Sequence, residues 1–145
     1  MMRYLLDVNV LIALIDRYHI HHDLAHSWLR THSEDGWATC AITENGLVRI
    51  VSNKKYPQSP GSASTLVDML STLKYAPEHE FWSETISLTD DRIFRIEHIS
   101  SPEQITDTYL LGLAVYHGGY FATFDRRLST EAVIGGQNAL HVIGD

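Results

Sequence analysis

Cysteine is nearly absent from this chain: Cys40 stands alone among 145 residues. One thiol builds neither a disulfide framework nor a cysteine-based metal motif. The usage fits a reducing compartment, so a cytoplasmic location is expected. Long apolar runs are missing too. The densest early stretch, residues 8–15, is interrupted by Asn9 and stops at Asp16, far short of a bilayer span. No small-residue cleavage site follows it, so neither membrane association nor processing is expected. Basic charge is scarce, with 11 lysines and arginines against 18 aspartates and glutamates and a formal net charge of −7. That balance argues against broad electrostatic capture of a nucleic acid, so a phosphate-bearing partner must be held locally, with bound cations offsetting the acids. Repeats and low-complexity tracts are lacking as well. Apolar residues, 44% of the chain, are plentiful enough for one core. Residues 1–145 are expected to form a single domain.

Strand and helix patterns alternate. Residues 3–6 are a short, mostly apolar run that stops at Asp7, after which Val8, Leu11, Ile12 and Ile15 recur at helical spacing. Leu24, Ala25, Trp28 and Leu29 share one face of a second helix, with Asp23, Arg30 and several histidines opposite, and Gly36 breaks the chain. Residues 37–42 predict a buried strand, and Thr43 a cap for a helix whose inner face is Leu47, Ile50 and Val51. Residues 52–62, with Pro57, Pro60 and Gly61, are loop-like. Ala63, Leu66, Val67, Leu70 and Leu73 form another helical stripe, and residues 85–88 a candidate strand. The best helix start is Ser101-Pro102-Glu103-Gln104, a Ser cap, a Pro at the first helical position and a Gln three residues after the cap; Gly118-Gly119 stops that helix. Residues 120–124 form a strand ending at Asp125, and residues 132–134 and 140–143 are short candidate strands. Such alternation implies a mostly parallel sheet with helical crossovers, an α/β fold.

Positions now attach to the acids. Ligand crevices in open parallel sheets lie beyond the carboxyl ends of the strands, and Asp7, Glu44 and Asp125 each fall at or one residue past such an end. Asp107 joins them from the second turn of a helix otherwise lined by Ile105, Tyr109, Leu110, Leu111, Leu113 and Ala114. A carboxylate in so apolar a helix is costly unless a cation meets it. Taken singly, Asp7 and Asp125 are also accounted for as helix caps, Glu44 as a favourable charge in a first turn, and Asp107 as the partner of an arginine such as Arg126. Taken together, four crowded carboxylates repel and raise one another's pKa values, a conflict that divalent cations resolve. All-oxygen donors suit Mg²⁺ or Mn²⁺, which keep several waters and bind phosphate oxygens at the same time.

Leu5-Leu6-Asp7-Val8-Asn9-Val10-Leu11-Ile12-Ala13-Leu14, Ile42-Thr43-Glu44-Asn45-Gly46, Ile105-Thr106-Asp107 with Tyr109-Leu110, and Ala122-Thr123-Phe124-Asp125-Arg126-Arg127-Leu128 resemble a PIN-domain protein, more narrowly a VapC-type toxin ribonuclease. The resemblance covers nearly the whole chain in order and spacing. It implies a three-layer α/β/α sandwich and a Mg²⁺- or Mn²⁺-dependent endoribonuclease, inhibited by a cognate antitoxin protein and often homodimeric. The family's acidic positions fall on Asp7, Glu44, Asp107 and Asp125. Asp7 and Asp107 would hold the principal cation, Asp125 would ligate it or a second one, and Glu44 would share a metal or orient its water. Asn9 and Thr123 fall where polar side chains orient the carboxylates, and Arg126 is a candidate phosphate contact. Many relatives carry Thr where Val8 stands, so any support from that hydroxyl is absent.

Other features have plainer readings. His22 and His26 stand four apart beside His19 and His21, but without the Glu of an H-E-x-x-H motif a solvated helix face describes them better than a metal site. Lys54, Lys55 and Tyr56 read either as RNA contacts or as an ordinary surface loop. Trp28, Trp82 and the leucine stripes read as core. Two other classes compete. A haloacid-dehalogenase-type phosphatase would use Asp7 as nucleophile and Asp90-Asp91 for metal, but it wants an Asp where Asn9 stands and a lysine later than Lys74. A non-catalytic binding module would leave every acid as a cap or surface charge.

Overall fold

The protein is described from a computed structural model over residues 2–144. The elements run β1 (Tyr4–Leu6), α1 (Val8–Ile15), α2 (His22–Thr31), β2 (Trp37–Thr39), α3 (Ala41–Val51), α4 (Ala63–Leu73), β3 (His79–Phe81), α5 (Ile105–Tyr116), β4 (Tyr120–Thr123), α6 (Gly136–Ala139) and β5 (Leu140–Val142). All five strands are parallel, in the order β3-β2-β1-β4-β5. The chain builds outward from β1 through β2 to β3, then crosses back to lay β4 on the other side of β1. That reversal makes the gap between β1 and β4 the topological switch point, where crevices open in sheets of this kind.

Side chains on β1 alternate between two cores. Tyr4 and Leu6 pack with Leu11, Leu14, Trp28, Leu47 and Leu66 beneath α1 to α4, whereas Leu5 packs with Leu110, Leu111, Leu113 and Phe121 beneath α5. Helices therefore cover both faces of the sheet, giving a three-layer α/β/α sandwich. Gly118 and Gly119 end α5 and reverse the chain into β4. Gly118 takes φ +69°, and a Cβ on Gly119 would meet the Arg3 carbonyl oxygen at 2.4 Å.

Four details depart from the sequence reading. The strand expected over residues 37–42 ends at Thr39. Cys40 caps α3 and Thr43 is its third residue, with the Thr43 hydroxyl accepting from the Cys40 amide at 3.1 Å, so the helix starts earlier than a Thr43 cap would place it. Residues 85–88 are irregular; Tyr109 donates from its hydroxyl to the Ile86 carbonyl at 3.0 Å, and Ile86 and Leu88 pack on the α5-side core. The strand falls at β3 instead. Residues 132–134 form only a short antiparallel bridge to Phe94. Ser101 and Pro102 open a tight 3₁₀ turn, Pro102–Gln104, ahead of the regular helix, which places Asp107 in the first turn of α5 rather than the second.

The histidines are not simply a solvated face. His22 Nδ1 donates to the Ala13 carbonyl at 2.7 Å and His26 Nε2 to the Leu14 carbonyl at 2.8 Å, satisfying last-turn carbonyls of α1 that the helix itself leaves unpaired. Tyr56 is likewise structural, donating to Asp16 Oδ2 at 2.5 Å. Trp28 and Trp82 are buried, as expected.

Candidate active site

Asp7 directly follows β1 and is only 6% exposed. It caps α1, its Oδ1 accepting from the Val8 amide at 2.7 Å, while its Oδ2 accepts from the Thr123 hydroxyl at 2.7 Å. Thr123 ends β4, one step beyond the Leu6–Ala122 pairing, so the strand ladder itself brings these two residues level. The fully buried Thr123 hydroxyl also accepts from the Asp125 amide at 3.1 Å, linking both loops at the switch point. Asp125 is exposed; one of its oxygens accepts from the Arg127 amide at 2.8 Å. Asp107 approaches from α5, which packs against both β1 and β4.

Asp7, Asp107 and Asp125 lie close enough for their charges to act on one another. Burial, and then the charges of Asp7 and Asp125, push the Asp107 carboxyl up to about 6. Burial and the Asp125 charge raise Asp7, against hydrogen bonds from Thr123 and Val8 that pull it down. A cluster that resists full ionisation is one whose charged form a cation would stabilise. A cleft of about 190 Å³ opens here, lined by Asp107, Asp125, Arg127, Glu103, Gln104 and Ser129.

Glu44 stands elsewhere. Although it lies in the first turn of α3, its Oε2 pairs with Lys74 Nζ at 2.8 Å and accepts from the Thr39 hydroxyl at 2.5 Å. That hydroxyl in turn accepts from His79 Nε2 at 2.8 Å. Burial, and then the Lys74 charge, lower the His79 pKa to about 4, so the ring enters this network neutral. The four expected acids are thus divided: three aspartates toward α5, and Glu44 neutralised on the face covered by α3 and α4. Asn9 is exposed in the first turn of α1 and makes no side-chain hydrogen bond among the described residues. Arg126 donates to the Gly144 carbonyl at 3.2 Å and is not among the residues lining the cleft. Sequence reasoning missed Lys74, Thr39, His79 and Arg127. Only the Arg126-Arg127 doublet carried any local sign of a cation near Asp125.

Among the described residues no three His, Cys, Asp or Glu side chains form a closed metal cage. The donor set fits an ion that needs none. Mg²⁺ keeps several waters and is usually held by one or two carboxylates together with substrate phosphates, and oxygen donors are what the three aspartates supply.

A three-layer sandwich around a parallel five-stranded sheet is the fold of the PIN domain. The PIN-domain family model matches residues 4–132, and the chain belongs to that family. Within it the chain groups with the VapC ribonucleases. It is 48% identical over 134 residues to Ribonuclease VapC44 of Mycobacterium tuberculosis, covering 92% of this chain and 94% of that one. It is 37% identical over 134 residues to Ribonuclease VapC39 of the same organism, covering 92% and 96%. The fold also matches a chain of VapBC2 from Rickettsia felis, solved bound to a DNA fragment from their promoter, with TM-score 0.62 and 16% identity over 87% of this chain and 90% of that one.

Proposed function

We propose that this chain is a Mg²⁺- or Mn²⁺-dependent endoribonuclease, the toxin of a toxin-antitoxin pair, acting at Asp7, Asp107 and Asp125. The observation that carries the reading is the meeting of Asp7, Asp107 and Asp125 at the β1/β4 crevice, with the buried Thr123 hydroxyl donating to Asp7 and accepting from the Asp125 amide and with Asp107 and Asp125 lining one cleft. The relatives' name, ribonuclease, supports the substrate. Asp7 and Asp107 would hold the principal cation, and Asp125 would offer the carboxylate oxygen that the Arg127 amide leaves available. The chemistry such a cation would supply is acidification of a water and stabilisation of charge on phosphoryl oxygens.

The protein's own share is placement. Thr123 fixes the orientation of Asp7 and ties Asp125 to the same hydroxyl, so both loops present their carboxylates together. Asn9, the second residue of α1, is the remaining polar candidate to orient a carboxylate. Glu44 is a conditional contributor: it reaches the site only when its ion pair with Lys74 opens. One domain, residues 1–145, carries the whole activity. The VapC relatives and a fold neighbour solved as VapBC2 support an antitoxin protein as partner, and the family resemblance supports a homodimer in the cytoplasm. No helix among the described residues is long and apolar enough to cross a membrane.

The test is cleavage of total cellular RNA by purified, antitoxin-free protein with Mg²⁺ or Mn²⁺. Discrete fragments are expected, vanishing with chelator and with Asp107→Asn. Cleavage that persists in the variant would overturn the site. A folded protein that neither cleaves nor melts higher with metal is a binding module instead.

A further inference from the structure

We infer that Arg127, not its neighbour Arg126, receives the phosphodiester backbone at the aspartate cleft, an inference that rests on the nuclease reading above. Three observations converge. Arg127 is the one cation among the residues lining the cleft that holds Asp107 and Asp125, and its guanidinium forms no ion pair among the described residues. Its main chain is anchored there as well, since its amide donates to Asp125 Oδ1 at 2.8 Å and so fixes where the side chain leaves the backbone relative to that carboxylate. Arg126 leaves in another direction and is engaged by the Gly144 carbonyl beyond β5.

Chemistry explains why an arginine belongs here. A phosphate entering this cleft meets carboxylates, and the cations that hold those carboxylates offset only part of the repulsion. A guanidinium adds positive charge to the same cleft and a planar fork that matches two phosphate oxygens. Phosphate oxygens are the same in every nucleotide, so a contact made by the Arg127 fork reads backbone and is indifferent to sequence.

The experiment is binding of two nuclease-resistant 2′-O-methyl phosphorothioate oligoribonucleotides of unrelated sequence, followed by fluorescence anisotropy in Mn²⁺ across a salt series. Arg127→Gln is expected to weaken both by roughly ten-fold and to reduce the log–log salt slope by about 0.7, the value for one phosphate contact on a single strand. Arg127→Lys should restore the slope but not all of the affinity, because the fork is lost. Melting shifts with Mn²⁺ should match wild type in both variants, which separates phosphate contact from damage to the cation site. Equal losses in Arg126→Gln and Arg127→Gln, an Arg127→Gln affinity within about two-fold of wild type, or no binding by wild type would each overturn the assignment. Cleavage of total RNA is scored separately: binding that tracks Arg127 in a protein unable to cleave would overturn the nuclease and leave the phosphate contact standing.

Discussion

Asp107→Asn should stabilise the metal-free protein while abolishing cleavage. Asp107 is raised from 3.8 to about 6 because burial and two neighbouring carboxylates disfavour its charge. That gap corresponds to about 3 kcal/mol, and solvent screening at a partly exposed group reduces the expected effect to about 1–1.5 kcal/mol. Above pH 6 both states carry the Asp107 charge, but only in the folded state is it part-buried and beside two other carboxylates, so wild type is at its least favourable there. Between about 6 and 4 the folded state takes up the proton first, and stability contributed by this group rises as pH falls. Asparagine is neutral throughout. The variant should therefore melt about 3–5 °C above wild type at pH 7.5 in chelator, and the gap should close near pH 4. His79, held neutral down to about 4, loses stability in the same acid window, but in both proteins alike, so the difference isolates Asp107. Adding Mn²⁺ at ten times its Kd contributes about 1.4 kcal/mol to wild type and little to the variant, which erases or inverts the order. Paired thermal melts at the two pH values, with and without metal, measure all of this. A variant that melts below wild type at pH 7.5 in chelator, or a gap that ignores pH, would refute the reasoning.

Further expectations concern the surroundings. Thr123→Val removes the donor to Asp7 and the acceptor of the Asp125 amide, and should weaken Mn²⁺ binding by calorimetry about 10- to 100-fold. Lys74→Met strands the Glu44 carboxylate and should cost about 1–3 kcal/mol in urea unfolding, a loss relieved in the double variant with Glu44→Gln. Tyr56→Phe leaves the buried Asp16 short of a donor and should cost about 1–3 kcal/mol without altering oligonucleotide affinity, because the 52–62 loop is tied down rather than poised on RNA.

Much of this was visible in the sequence. Asp7 was placed correctly because a short apolar run followed at once by helical spacing marks a strand end without ambiguity. Asp125 was legible because the apolar run 120–124 stops at it, although the strand itself ends at Thr123, and Asp107 because an acid among leucines demands an explanation. Glu44 escaped because its side chain answers to Lys74, thirty positions later, and to Thr39 and His79, which no local pattern joins to it. β3 escaped because His79-Glu80-Phe81 is a partly exposed edge strand with no apolar alternation. Residues 85–88 misled for the converse reason: Ile86 and Leu88 are apolar because they face the α5-side core, not because the segment pairs in the sheet. His22 and His26 looked like surface because helical periodicity cannot foresee that carbonyls of α1 lie within reach.

The neighbouring placement of β1 and β4 has a consequence for how such a molecule can diverge. Asp7 and Asp125 leave adjacent strands whose separation is dictated by backbone hydrogen bonding, ~4.8 Å in any sheet. The spacing of Asp7 from Thr123, the residue that ties Asp125 to it, is thus inherited from the ladder. Exposed stretches such as residues 53–55 are free to lengthen, shorten or change charge while the aspartate corner keeps its dimensions. A lineage built on this plan can exchange one target for another by rewriting its periphery, with no intermediate generation in which the chemistry is lost.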